Sequence, residues 1–269
     1  MVSQIKKSTV FVTLILLMVQ PVLSQPFDQQ HAIWTELLKK HVVMKNENRI
    51  SQVDYQAFKK DIAPLDTYLS GLSRITHAEF NGWSSDEKLS FLINAYNAFT
   101  VKLILDHYPV NSIRDIKTFF KGPWNIEFIS LFGEIVSLDD IEHNMIRKKG
   151  AFDEPRIHMA VVCASIGCPA LLDEAFTPDK LDKQLETNVE RFLGDKSRNR
   201  FNPEKKTLEV SKIFKWYGSD FEMTFTSLER FFAHYATLFT TVVSEQDMIK
   251  RQAVKIEYLD YDWRLNDIN

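Results

Sequence analysis

Apolar residues recur at helical spacing along much of the chain, and this pattern predicts a mainly helical fold. From Phe27 to Met44 the apolar positions repeat every three or four residues, which predicts a first helix. Polar residues 46–51 then break the periodicity. A second helix is predicted over Ala63 to Gly71, because Pro64 suits a first turn and Gly71 suits a helix end.

The longest apolar stretch predicts a central helix over about residues 87–108, which begins after a cap at Ser84 or Ser85. It is apolar around most of its circumference, so we expect it to be buried on nearly all sides. Asn94 and Asn97 interrupt it and share one face. An unpaired buried amide costs about 1–3 kcal/mol. We expect Asn94 to hold loop backbone, whereas Asn97 has two open roles, in a loop or in an active cleft.

The second half of the chain alternates short helices with short strands. The predicted elements are a hairpin (Trp124–Leu131 and Glu134–Val136), a helix after Ser137, a strand (Ile157–Val162), a helix from Thr177 to Leu193, a loop over 195–206, a strand (Thr207–Val210), a helical turn at 213–217, a helix from Thr226 to His234 and a strand (Lys255–Leu259). The predicted fold class is therefore α+β, a helix-rich single domain around a small, mostly antiparallel sheet and the central helix.

The N-terminus has the pattern of an export signal. Lys6 and Lys7 precede an apolar run, Val10 to Val19, that is too short to span a bilayer, and Val22-Leu23-Ser24 suits a signal peptidase. We expect cleavage after Ser24, which leaves residues 25–269 as one domain in the periplasm or secreted, with no stable membrane anchor. The formal net charge is −3 and no basic cluster is present, so nucleic acid is excluded as a partner class.

Both cysteines of the chain, Cys163 and Cys168, lie in one short stretch with His158. A thiolate is a strong nucleophile where a nearby imidazole lowers its pKa. In an oxidising compartment the same two cysteines are equally suited to a disulfide. If residues 157–162 form a strand, His158 and Cys163 face opposite ways, and His143 becomes the natural imidazole partner.

Glu142 and His143 are neighbours on the helix before this stretch, where a carboxylate is available to orient an imidazole. Adjacent helix positions point about 100° apart, so each residue would serve a separate partner. A zinc site built from the histidines and cysteines has little support, because no C-x-x-C or H-E-x-x-H spacing occurs. We expect no cofactor and no metal.

Four motifs in order resemble the family called domain of unknown function 547, over roughly residues 52–266. They are Phe91-Leu92-Ile93-Asn94-Ala95-Tyr96-Asn97-Ala98, Leu138-Asp139-Asp140-Ile141-Glu142-His143, the segment from Pro155 to Pro169, and the segment from Leu259 to Asn266. One departure is Ala164, where the family more often has glycine; Met159 and Leu92 replace aromatic residues.

The resemblance groups six residues as the candidate site: Asn97, Glu142, His143, His158, Cys163 and Cys168. The family is also similar in motif content to cysteine-dependent amide hydrolases and transferases. The first hypothesis is therefore an exported enzyme that cleaves amide or thioester bonds of a small-molecule or peptide substrate. In it Cys163 is the preferred nucleophile, His143 or His158 is the base, and Glu142 orients the base. The alternative is a non-catalytic envelope binding or scaffold domain with a Cys163–Cys168 disulfide.

Overall fold

The computed structural model describes residues 26–268. The predicted export signal, residues 1–24, lies outside the described residues. Across residues 26–268, no helix combines the length and the apolar character needed to cross a membrane.

The central helix is present as predicted. Helix α5 (Ser85–His107) is buried along most of its length. It begins with a reciprocal cap, in which Glu87 N–H donates to Ser84 Oγ at 3.3 Å and Ser84 N–H donates to Glu87 Oε2 at 2.7 Å. Its side chains form the centre of a first, largely aliphatic hydrophobic core. This helix is the scaffold on which the first half of the chain packs.

The elements before α5 are mostly helical. They are α1 (Ala32–His41), strands β1 (Val42–Lys45) and β2 (Ile50–Val53), α2 (Tyr55–Phe58), α3 (Ile62–Ser73) and α4 (His77–Gly82). The first helix is shorter than predicted, because it begins at Ala32 and the last three residues of the predicted range belong to β1, which pairs antiparallel with β2. The helix predicted over 63–71 is confirmed by α3.

The middle of the chain contains one confirmed hairpin and one wrong strand. Strands β3 (Ile129–Leu131) and β4 (Glu134–Val136) pair antiparallel, and a π-type helix (Asp140–Ile146) follows. The strand predicted over 157–162 is wrong, since Pro155–Met159 forms a 3-10 helix and residues 160–162 continue without a sheet partner. A short buried apolar run does not distinguish a strand from a buried turn.

The last third forms a second core that is rich in phenylalanine. Its elements are α6 (Leu181–Gly194), β5 (Arg200–Asn202), β6 (Thr207–Val210), α7 (Ile213–Trp216), α8 (Gly218–Phe225), α9 (Leu228–His234), α10 (Ala236–Phe239), α11 (Val243–Lys250) and β7 (Lys255–Tyr258). Strand β6 pairs antiparallel with β5, which forms within the predicted loop over 195–206, and parallel with β7. The predicted α+β class, helix-rich with small and mostly antiparallel sheets, is confirmed.

Candidate functional site

A cavity of about 280 Å³ opens where α5, the π-type helix, the segment with Cys163 and Cys168, and the last third of the chain meet. Five of the six predicted site residues line it: Glu142, His143, His158, Cys163 and Cys168. One stretch of the chain, residues 142–168, thus brings thiol, imidazole and carboxylate groups to one space.

The sixth residue, Asn97, lies behind the cavity wall. Its side-chain N–H donates to the Ala160 carbonyl at 2.9 Å, and its carbonyl oxygen accepts from Val162 N–H at 2.9 Å. Asn94 makes the same kind of pair with both backbone groups of Phe176, at 2.7 and 3.0 Å. Both amides therefore hold loop backbone against α5, as expected for Asn94, and Asn97 fixes the segment that leads into Cys163.

The thiol cluster consists of Cys163, Cys168 and Tyr261. Both cysteines are free thiols. The Cys168 sulfur accepts hydrogen bonds from Cys163 N–H and from the Tyr261 hydroxyl, each at 3.1 Å. The Cys163 sulfur lies 3.3 Å from the same hydroxyl. One phenol thus touches both sulfurs.

These contacts shift the pKa values of the two thiols in opposite directions. Burial acts to raise the pKa of Cys168, but hydrogen bonds from the Cys163 thiol, from Tyr261 and from the backbone outweigh it and lower this pKa. The hydrogen bond to Cys168, together with burial, raises the pKa of Cys163. Cys168 is therefore the acceptor of the pair and Cys163 its donor.

The C-terminal segment places Tyr261. Backbone atoms of residues 164–167 and 262–266 form three hydrogen bonds of 2.8–3.0 Å. Gly167 is required at this contact, since a Cβ atom there would lie 2.9 Å from the Tyr261 ring. At the start of the turn, Ala164 has a φ of 58°, a conformation that favours glycine.

The imidazole cluster consists of His143, Arg147, His158 and Asp220. His158 Nε2 lies 2.8 Å from Asp220, whose two carboxylate oxygens also accept from Arg147 at 2.6 and 3.0 Å. Arg147 donates to His143 Nδ1 at 2.5 Å, and His143 Nε2 lies 3.3 Å from Asp139. An arginine therefore lies between the two imidazoles, and each imidazole also faces a carboxylate.

Burial lowers the pKa of His158, against the opposite effect of Asp220, so this imidazole is neutral at pH 7. Burial acts to raise the pKa of Asp220, but His158 and Arg147 hold it well below its usual range. Tyr217 packs between these groups, with its ring centroid 4.0 Å from that of His158 and 4.7 Å from the Arg147 guanidinium carbon. Burial and the nearby Glu142 raise the pKa of Tyr217.

The two clusters face one cavity without a direct bond between thiol and imidazole. Among the described residues, neither sulfur has an imidazole nitrogen within hydrogen-bonding distance, and Glu142 forms no hydrogen bond to either histidine. The carboxylate that lies within hydrogen-bonding distance of His158 belongs to Asp220. The hydroxyl that contacts both sulfurs belongs to Tyr261. Across residues 26–268, no three His, Cys, Asp or Glu side chains converge as a metal site.

The sequence reasoning missed Asp220 and Tyr217, which gave no local signal. Tyr261 had a signal, because it lies inside the closing motif from Leu259 to Asn266. In the sequence this motif indicates only the family resemblance. In the structure it brings the Tyr261 hydroxyl to both thiols.

Comparison with known proteins supports the resemblance. Residues 80–193 match the family described as "Protein of unknown function, DUF547". No curated protein and no solved structure matches the chain. The matched range contains both cysteines, His143 and His158, but ends before Tyr217, Asp220 and Tyr261. The chain therefore carries a domain of the DUF547 family.

Proposed function

We propose that the domain is a cysteine-dependent hydrolase or transferase that acts on amide or thioester bonds. The observation that supports it is the Cys168 sulfur, which lines the cavity and accepts hydrogen bonds from a backbone N–H and a hydroxyl group. Such donors favour the thiolate, the nucleophilic form of cysteine. The sequence favoured Cys163 as the nucleophile, whereas the hydrogen bonding favours Cys168.

In the proposed reaction, the Cys168 sulfur attacks an acyl carbon. The new S–C bond forms while the bond from the acyl carbon to the amine or thiol leaving group breaks. The leaving group takes the proton of the Cys163 thiol, either directly or through the Tyr261 hydroxyl. Neutral His158 then accepts a proton from water or from an acceptor nucleophile, which forms a new bond to the acyl carbon while the S–C bond to Cys168 breaks. Return of that proton to Cys163 closes the cycle.

The test is acyl-enzyme formation with a generic aryl thioester, followed by intact-mass and peptide mass spectrometry. We expect one acyl group on Cys168, no adduct in Cys168→Ser, and a slower adduct in Cys163→Ser. Equal turnover by the wild type and Cys168→Ser would overturn the proposal.

Thiol titration of the folded protein separates the proposed enzyme from a scaffold domain. Two readily alkylated thiols agree with the enzyme. If neither thiol is alkylated until a reductant is added, the cysteines are paired and the binding or scaffold role in the envelope replaces catalysis.

Export is a further part of the proposal, and Lys6, Lys7 and the apolar run after them support it. N-terminal sequencing of the protein recovered from its native cells tests it. A mature chain that begins at Gln25 is expected, in the periplasm or the medium. An intact N-terminus in a cytosolic fraction would contradict it.

A further inference from the structure

The cavity has an aromatic wall next to the thiol cluster. Trp216, Tyr261 and Trp263 pack together with ring centroids 4.5–5.6 Å apart, and Trp124 lies 5.7 Å from Trp263. All four residues line the cavity. Aromatic faces attract organic cations, because the ring carries negative potential above its plane.

The charged side chains that line the cavity are acidic. Asp139 and Glu142 line it, whereas no lysine or arginine among the described residues does; Arg114 lies over the Trp263 ring, 5.2 Å from its centroid. Of the two imidazoles, His158 is neutral because burial lowers its pKa, and His143 already accepts a hydrogen bond from Arg147. The arginine itself lies behind Tyr217, where both carboxylate oxygens of Asp220 bind it.

Glu142 is the most informative of these groups. It is only 5 % exposed, and among the described residues it has no ion-pair partner within 4.0 Å. A buried carboxylate without a cation is costly unless a partner arrives. Tyr217 forms a side-chain hydrogen bond with Glu142, and Arg147 interacts with this carboxylate without an ion pair within 4.0 Å. The cavity thus presents a carboxylate without a direct ion pair and aromatic faces to the same space.

We propose that the cavity binds a positively charged organic group, an ammonium or guanidinium, carried by the acyl substrate or by the acceptor. Glu142 forms the ion pair, and Trp216 and Trp263 cover the apolar part of the cation. The volume, about 280 Å³, is at the small end of ligand pockets and suits a group of side-chain size. This inference deepens the proposed function, since it gives that site a substrate class.

Binding is tested apart from catalysis, in the Cys168→Ser variant. The probes are Nα-acetyl-lysine methylamide and its neutral counterpart of similar size, Nα-acetyl-norleucine methylamide, followed by tryptophan fluorescence and calorimetry. We expect the lysine probe to bind at least tenfold more tightly. Equal binding of the two probes, or tighter binding of the neutral one, would overturn the proposal.

Matched variants locate the preference. Glu142→Gln should reduce lysine-probe affinity about tenfold and leave the neutral probe unchanged. Glu36→Gln, an equal charge change on an exposed side chain of α1, should change neither. If Glu142→Gln does not fold, Glu142→Asp, which withdraws the carboxylate by one methylene, should also weaken binding of the lysine probe more than that of the neutral probe. A preference that is unchanged in Glu142→Gln, or in Glu142→Asp in its place, contradicts the assignment. Failure of acylation with intact cation binding would refute only the catalytic proposal.

Discussion

The thiol cluster and the imidazole cluster face the same cavity but are stabilised in different ways. The thiols are surrounded by neutral donors, a hydroxyl and a backbone N–H, with no cation bound to either sulfur in the described chain. The imidazoles belong to an ion-pair network centred on Asp220 and Arg147. Neutral donors leave a thiolate reactive, whereas a bidentate ion pair holds its members in one arrangement. We therefore expect the thiol cluster to carry the reactive sulfur and the ion-pair network to hold His158, the proposed proton acceptor, in place.

Removal of Asp220 is the strongest test of this division. In Asp220→Asn, Arg147 loses both charged hydrogen bonds and His158 loses its carboxylate, so we expect the free energy of unfolding to fall by about 2–3 kcal/mol. Urea unfolding at pH 7 measures it. Asp182→Asn is the matched control, because Asp182 also pairs with an arginine but its side chain is 90 % exposed; we expect a loss below about 0.5 kcal/mol. Similar losses in both variants would show that the network is no more than a surface ion pair.

Acid should weaken the same ion-pair network. The loss in the free energy of unfolding from protonation of Asp220 should not exceed that in Asp220→Asn, because a protonated Asp220 resembles Asn. The folded pKa of Asp220 is lowered, so its contribution is complete above its ordinary value of 3.8 and is lost as pH falls through the folded pKa. The folded pKa of His158 is also lowered, so below pH 6.5 the unfolded chain binds more protons and stability falls with pH. Urea midpoints between pH 8 and pH 3 measure the loss of stability from His158 and the beginning of the loss from Asp220. Stability that rises from pH 6.5 to pH 5 would contradict the neutral His158.

Tyr261→Phe tests the neutral donors. Loss of one hydroxyl donor costs the Cys168 thiolate about 1 kcal/mol, so we expect alkylation of Cys168 by iodoacetamide at pH 7 to slow two- to tenfold. Tyr258→Phe, on β7 and 39 % exposed, is the control and should leave the rate unchanged. An unchanged rate in Tyr261→Phe would assign the lowered pKa of Cys168 to the Cys163 thiol and the backbone.

The smallest expected effect concerns the turn that carries the thiols. Ala164 has a positive φ, which costs about 1–2 kcal/mol, and glycine loses about 0.5–1 kcal/mol more chain entropy on folding. Ala164→Gly should therefore stabilise the protein by about 0.5 kcal/mol. Ala160→Gly, at a φ of −116°, should destabilise it instead. Thermal unfolding of both variants decides the sign, and a loss in both would rule out relieved strain at Ala164.

Local patterns predicted what depends on neighbours in sequence. The capped helix α5 and the hairpin at Phe132-Gly133 follow from periodicity and turn chemistry, and both are present. The run from Ile157 to Val162 is apolar in the same way as a buried strand, so only the tertiary structure reveals that it is a 3-10 helix and a turn.

The site was predicted in the same partial way. His158 and Cys163 both line one cavity, but the strand predicted to carry them is absent, so the argument from strand alternation does not apply. The partners of both residues lie 62 and 98 positions further along, in Asp220 and Tyr261. Packing of the second core against the first brings them there, and no local spacing encodes it.

The contact between Tyr261 and Cys168 also has a consequence in time. The two residues are 93 positions apart, so during synthesis the thiols exist before the hydroxyl that will touch them. At about 5–20 residues per second, that interval lasts roughly 5–20 s. During it the cysteines lack the cover of the segment over 262–266, and any oxidant or partner thiol meets them in their most accessible state. The order in which the chain is made thus leaves both thiols without their hydroxyl partner for that interval.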